Sequence, residues 1–147
     1  MKRVERSITI AAPADRVFDV ASSLDDLPRW QSGIVSARQT SAGPVSVGAT
    51  ALIVRELMGQ RLEVPLTVTT YEPPRLLQLH TEVSGVAADA SIAVEETDAT
   101  TSRVTFAMEI RGSGFTSFME PMVASAADGD IGTSLKRLKE QLETTSQ

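Results

Sequence analysis

The chain has 147 residues, no cysteine, one histidine and fourteen basic against nineteen acidic residues, a net charge of -5. That length suits one domain over residues 1–147, burying roughly 68–70% of the surface its unfolded form exposes. The negative charge argues against general affinity for nucleic acid or an anionic membrane surface. The absence of cysteine removes disulfides and thiolate chemistry and suits a reducing compartment.

Val4, Ile8 and Ile10 alternate with Glu5, Ser7 and Thr9, the pattern of a half-buried first strand. The opening holds no apolar run long enough for a signal peptide, and nothing reaches the roughly 18 apolar residues of a membrane span. A cytoplasmic protein without stable membrane insertion is expected. Pro13 fixes its own φ near the helical value and lacks only a donor that a first helical turn leaves unpaired. A helix is therefore predicted to start close by, with Val17, Phe18, Val20 and Ala21 facing inward. A second short helix is predicted over 22–30, capped by Ser23, with Asp25 and Asp26 at its positive end. Pro28 is expected to end or bend it before Trp30.

From Ile34 the period becomes two, punctuated by Gly43-Pro44, Gly59, Pro73-Pro74, Gly85 and the stretch from Asp98 to Thr101. Strands are predicted over 34–39, 50–58, 60–71, 76–83, 87–95 and 102–110, and short connections make them antiparallel neighbours. Leu62, Val64, Leu66 and Val68 alternate with Arg61, Glu63, Pro65 and Thr67, and Val104, Phe106, Met108 and Ile110 with Arg103, Thr105, Ala107 and Glu109. Such a sheet is covered on one side.

The chain closes on one long amphipathic helix predicted from Phe115 to Glu143. Met119, Met122, Val123, Ala126, Leu135, Leu138 and Leu142 recur every three or four residues as its apolar stripe. Pro121 belongs to its first turn. Gly129 and Gly132 each cost about 1 kcal/mol against alanine in a helix interior. Close approach to the sheet, a kink, or a break into two helices would each explain them. The sheet is the large partner for this stripe, and a helix laid across a curved sheet leaves room for an internal cavity.

Four segments carry a family resemblance: Ser7 through Phe18, with its Ala11-Ala12-Pro13 turn; Leu27-Pro28-Arg29-Trp30; Pro73-Pro74-Arg75-Leu76; and Leu135 through Glu143. Together they resemble the SRPBCC superfamily of START-like, pollen-allergen-like helix-grip proteins, in its polyketide cyclase/dehydrase-like branch. The resemblance implies an α+β helix-grip fold: a curved seven-stranded antiparallel sheet wrapping a long C-terminal helix, with two short helices after the first strand. It implies binding of a small hydrophobic molecule, lipid-, sterol- or polyketide-like, between sheet and helix. Two alternatives come with it: a cyclase, aromatase or dehydratase, and a protein-interaction module like the chaperone-ATPase activators.

The candidate ligand-binding residues are Trp30, Phe106, Met108, Met119, Met122, Val123 and Ala126, where aromatic rings and adaptable thioethers suit an apolar lining. Met58, Phe115 and Phe118 are of the same kind. Ordinary core packing is the competing reading for all of them. The candidate acids or bases are His80 and Tyr71. On the strand 76–83, an inward aliphatic face (Leu77, Leu79, Thr81, Val83) sends His80 to water, whereas the opposite choice turns Gln78, His80 and Glu82 toward a ligand. Asp128, Asp130, Arg55, Arg61 and Arg111 read as solvated charges, with a buried role on a ligand as the alternative. One histidine cannot build a histidine-rich zinc site, and no phosphate-binding loop or nucleophile elbow occurs, so neither metal nor cofactor is expected. Oligomeric state is not legible.

Overall fold

In the computed structural model, which describes residues 2–57, 59–83 and 85–145, the strands are β1 (Lys2–Ile10), β2 (Ile34–Gln39), β3 (Thr50–Leu57), β4 (Gln60–Glu72), β5 (Leu76–Val83), β6 (Val86–Asp98) and β7 (Thr101–Gly112). The helices are α1 (Ala14–Ala21), α2 (Leu27–Trp30) and α3 (Glu120–Thr145). All strand pairs are antiparallel, in the order β1-β7-β6-β5-β4-β3-β2. Consecutive strands from β2 to β7 are neighbours, and β1 returns to pair with β7, placing Val4 opposite Met108. The segment carrying α1 and α2 therefore runs from one edge of the sheet to the other. This is the helix-grip arrangement.

Period-two alternation sets the faces. Val64, Leu66 and Val68 on β4, Leu77 and Leu79 on β5, Ile92 and Val94 on β6, and Val104, Phe106 and Ile110 on β7 are buried on the concave side. α1 adds Ala14, Val17, Phe18 and Ala21. A bulge between Val68 and Thr70 shifts the register by one residue, so that Tyr71 pairs with Leu77 and meets Phe18 with ring centroids 5.6 Å apart. β6 and β7 extend beyond the predicted bounds because Glu95, Glu96 and Asp98 pair with Arg103, Ser102 and Thr101. Backbone pairing, which leaves no hydrophobic signature, holds that end.

The second short helix departs from expectation. A 3₁₀ turn over Leu24–Asp26 precedes α2, and Pro28 lies in the first turn of α2 rather than ending it. Ser23 makes no capping bond; its hydroxyl donates to the Asp26 carboxylate at 2.9 Å.

The C-terminal helix also starts later than predicted. A 3₁₀ segment, Gly114–Met119, leads into α3, and Pro121 lies in the first turn of α3. α3 then runs unbroken through both glycines. A Cβ at Gly132 would come within 3.0 Å of the Arg6 guanidinium, so that glycine serves close approach to β1, whereas a Cβ at Gly129 would meet nothing within 4 Å. The buried stripe is Ala124, Ala127, Ile131, Ser134, Leu135, Leu138 and Leu142. The predicted stripe holds at Leu135, Leu138 and Leu142 but is out of phase in the first turns: Met122 is 56% exposed, and Ala126 is only partly buried.

Polar contacts clamp α3 to the β1 edge. Arg6 donates to both carboxylate oxygens of Asp128 at 3.0 and 2.9 Å, Lys139 donates to the Thr9 carbonyl at 3.0 Å, and the Ala11 N–H donates to Glu143 at 2.9 Å. α3 packs chiefly on β1 and β7. The concave faces of β3 to β6 therefore extend beyond the helix. Among the described residues no helix is long and apolar enough to cross a membrane.

Candidate functional site

Between that concave face and α3 lies a cavity of about 330 Å³, at the small end of ligand pockets. Its existence follows from side-chain size. Ala88 and Ala90 occupy inward positions near the start of β6, and Ala127 lines the same space from α3. Methyl groups at those positions cannot span the gap between sheet and helix. Leu27, Ile34, Ile53, Leu66 and Phe106 form the deep wall and are buried, whereas Gln60, Val83, Val86, Met119 and Val123 line the same space while partly or fully exposed. The more accessible group marks the open end, at the β3–β4 and β5–β6 hairpin tips and the start of α3.

One corner of this apolar space is polar. Arg55 on β3, Asp130 on α3 and Gln31 after α2 converge there. The Arg55 side chain keeps 19% of its exposure and Asp130 27%, with the nearest guanidinium nitrogen 3.8 Å from the carboxylate. That is an ion pair in attraction but too long for a hydrogen bond. Burial pulls the Arg55 pKa down, with Asp130 opposing. Burial pushes the Asp130 carboxyl up, against the smaller effects of Arg55 and the Ser32 hydroxyl. Each charge is thus incompletely compensated by the other. Gln31 is 5% exposed, and among the described residues its side-chain amide has no hydrogen-bond partner in the protein.

The turn from Gln31 to Gly33 holds this corner in place. The Ser32 N–H donates to the Ser134 hydroxyl on α3 at 2.8 Å, and the Gly33 carbonyl accepts from the Glu56 N–H on β3 at 2.7 Å. Gly33 has φ +90, and a Cβ there would come within 3.0 Å of an Asp130 carboxylate oxygen. Glycine is required on both counts.

Of the residues singled out from sequence, Phe106, Met108, Met119 and Val123 line the cavity. Trp30, Met122 and Ala126 do not. Trp30 is fully buried behind the wall with its ring 5.8 Å from that of Phe106, and among the described residues its indole N–H has no hydrogen-bond partner. Met122 points to solvent because the helical phase places Val123 and Ala127 inward instead, and Phe118 is 72% exposed. Met58 and the side chain of Phe115 lie outside the described residues.

Tyr71 packs on Phe18 away from the cavity. His80 lies on the outer, convex face, its Nδ1 2.7 Å from Asp89, which Arg111 also contacts. Burial pushes the Asp89 carboxyl up, but hydrogen bonds from His80 and Arg111 outweigh it and leave it below the ordinary range. Of the charges read as solvated, Arg55 and Asp130 prove to be cavity residues, and the others make surface pairs. The alternation Ala51, Ile53, Arg55 puts that arginine on the inward face, and Asp130 follows Val123 and Ala127 by seven and three residues on one side of α3.

Comparisons with known proteins agree with this architecture. The family model for polyketide cyclase / dehydrase and lipid transport matches residues 1–143. The chain belongs to that family. Among solved structures, it is similar to the Zhui aromatase/cyclase from Streptomyces, with TM-score 0.83, 14% identity and coverage of 99% of this chain and 96% of that one. A START superfamily protein from Mycobacterium smegmatis gives TM-score 0.79 at 13% identity, over 97% and 98% of the two chains. The di-domain ARO/CYC BexL gives TM-score 0.77 at 23% identity over 97% of this chain, which spans 47% of BexL. Curated proteins gave no match. At these identities the likenesses establish the fold.

Proposed function

We propose that the protein binds one small, mainly apolar molecule, lipid-, sterol- or polyketide-like, in the cavity between the sheet and α3. The observation that carries this is an apolar space of about 330 Å³ with a polar corner at Arg55, Asp130 and Gln31. An ordinary core would close such a space, since protein interiors pack at crystal-like density. At about 30 Å³ per water, it has room for roughly ten waters, and apolar walls hold water poorly. An apolar guest is the better occupant.

Titration with 1-anilinonaphthalene-8-sulfonate tests this reading. One saturable site is expected, lost when Ala90→Leu narrows the cavity. Binding undiminished by that substitution would put the dye on the surface and remove the support.

A second reading, an enzyme of the cyclase, aromatase or dehydratase kind, is favoured by one observation. Asp130 is a partly buried carboxyl whose affinity for a proton is raised, and it lies beside a guanidinium able to stabilise a developing oxyanion. In that reading Asp130 exchanges protons with the bound molecule and Arg55 stabilises an enolate. Asp130→Asn would then abolish turnover of a bound ketide while leaving it bound.

A further inference from the structure

We propose that the molecule this cavity takes is a hydrophobic monocarboxylic acid, bound as its carboxylate by Arg55 and Gln31, with Asp130 taking up a proton from solvent as the acid binds. The inference rests on the binding reading above and assigns the head group. Arg55 carries five N–H donors, and its ionic contact to Asp130, at 3.8 Å, is too long for a hydrogen bond. Gln31, 95% removed from solvent by its 5% exposure, lines the same space with its amide unpaired among the described residues. Both groups face the cavity with donors that no hydrogen bond to a described residue uses, so they are free to meet a ligand. A carboxylate fits both, accepting two parallel bonds from the guanidinium and another from the amide N–H.

Charge balance then requires the proton. Arg55 and Asp130 are the only ionisable side chains in the cavity wall among the described residues. On the neighbouring turn of α3, Asp128 is already engaged by Arg6 from β1, and Glu56 beside Arg55 pairs with Arg61 on the outer face. Among the described residues no further cation lines the cavity to balance a second carboxylate. A second carboxylate beside one partly buried guanidinium disfavours ionisation of Asp130, whose proton affinity burial already raises. The complex holds Arg55 charged, the ligand charged and Asp130 neutral. No covalent bond changes.

The test uses matched probes: decanoate against decanol, and 2-naphthoate against 2-naphthylmethanol, titrated calorimetrically into the whole chain. In the unmodified protein each acid is expected to bind at least tenfold tighter than its alcohol at neutral pH, weakening as pH rises. Arg55→Gln should bring the ratio close to one, and Arg55→Lys should restore part of it. Asp130→Asn should bind the acids more tightly at alkaline pH and flatten the pH dependence. Alcohols binding as tightly as acids, or an acid preference that survives Arg55→Gln, would overturn the head-group assignment and leave the cavity reading intact. Failure of all four probes to bind would overturn the cavity reading and this inference with it.

Discussion

Replacing Ala90 with leucine asks directly whether the space beneath α3 is empty of protein. Ala90 pairs with Leu79 on one side and Met108 on the other, and its methyl faces the cavity. Leucine adds about three carbons, worth roughly 2 kcal/mol at ~0.8 kcal/mol per buried carbon. Restricting its rotamers costs about 0.5–1 kcal/mol. A net gain of about 1–1.5 kcal/mol is therefore expected. For a chain of this length that raises the melting temperature by about 2–6 °C. In a filled core the same substitution overpacks and loses about 1–3 kcal/mol, so the two cases differ in sign. Urea unfolding at constant m-value gives the difference. A loss of 1 kcal/mol or more would refute the reasoning from side-chain size.

Gly129→Ala should stabilise α3 by about 1 kcal/mol, because its Cβ enters open space. Gly132→Ala should gain clearly less, since its Cβ meets the Arg6 side chain at 3.0 Å. Equal gains in thermal unfolding would discredit the close-approach explanation. Phe106→Ala should cost about 3–5 kcal/mol and remove the ring between cavity and Trp30, making the emission of this lone tryptophan respond to an apolar guest; an unchanged response would misplace that wall. Asp130→Asn should change the pH dependence of stability. Because the folded-state pKa of Asp130 is raised, its contribution is full at acidic pH and declines as pH rises from the ordinary carboxylate range through its folded value. Asparagine has no such decline, so the stability difference, variant minus parent, should grow over that window and level off above it. A difference that shrinks with rising pH would contradict the burial of Asp130.

The sheet was legible because its signal is local and redundant: in β5 the alternation of Leu77 and Leu79 with Gln78 and His80 marks the strand and its two faces, and burial of Leu77 and Leu79 decides which face is inward. The bulge near Thr69 was invisible because it changes no composition, yet it turns Tyr71 onto Phe18. In α3 the strong anchors Leu135, Leu138 and Leu142 set the phase. Stepping back from them through Ile131 reaches Ala127 and Ala124, but the larger Met119 and Met122 drew the predicted stripe off by part of a turn. Bulk misleads at a cavity wall, where small residues face inward so that space remains. Charge misleads in the same way at Arg55 and Asp130. Their inward phase was present in the alternation and helical spacing, while the habit of charged residues to stay in water argued against it. Trp30 shows the converse: a large ring that packs behind the wall instead of forming it.

The central claim is that the space between β3–β7 and α3 holds an apolar guest, and native mass spectrometry of protein purified without denaturant tests it most directly. A single added mass is expected, released by organic extraction and absent from Ala90→Leu. Bare protein in both preparations, together with no rise in melting temperature on adding decanoate or decanol, would contradict it.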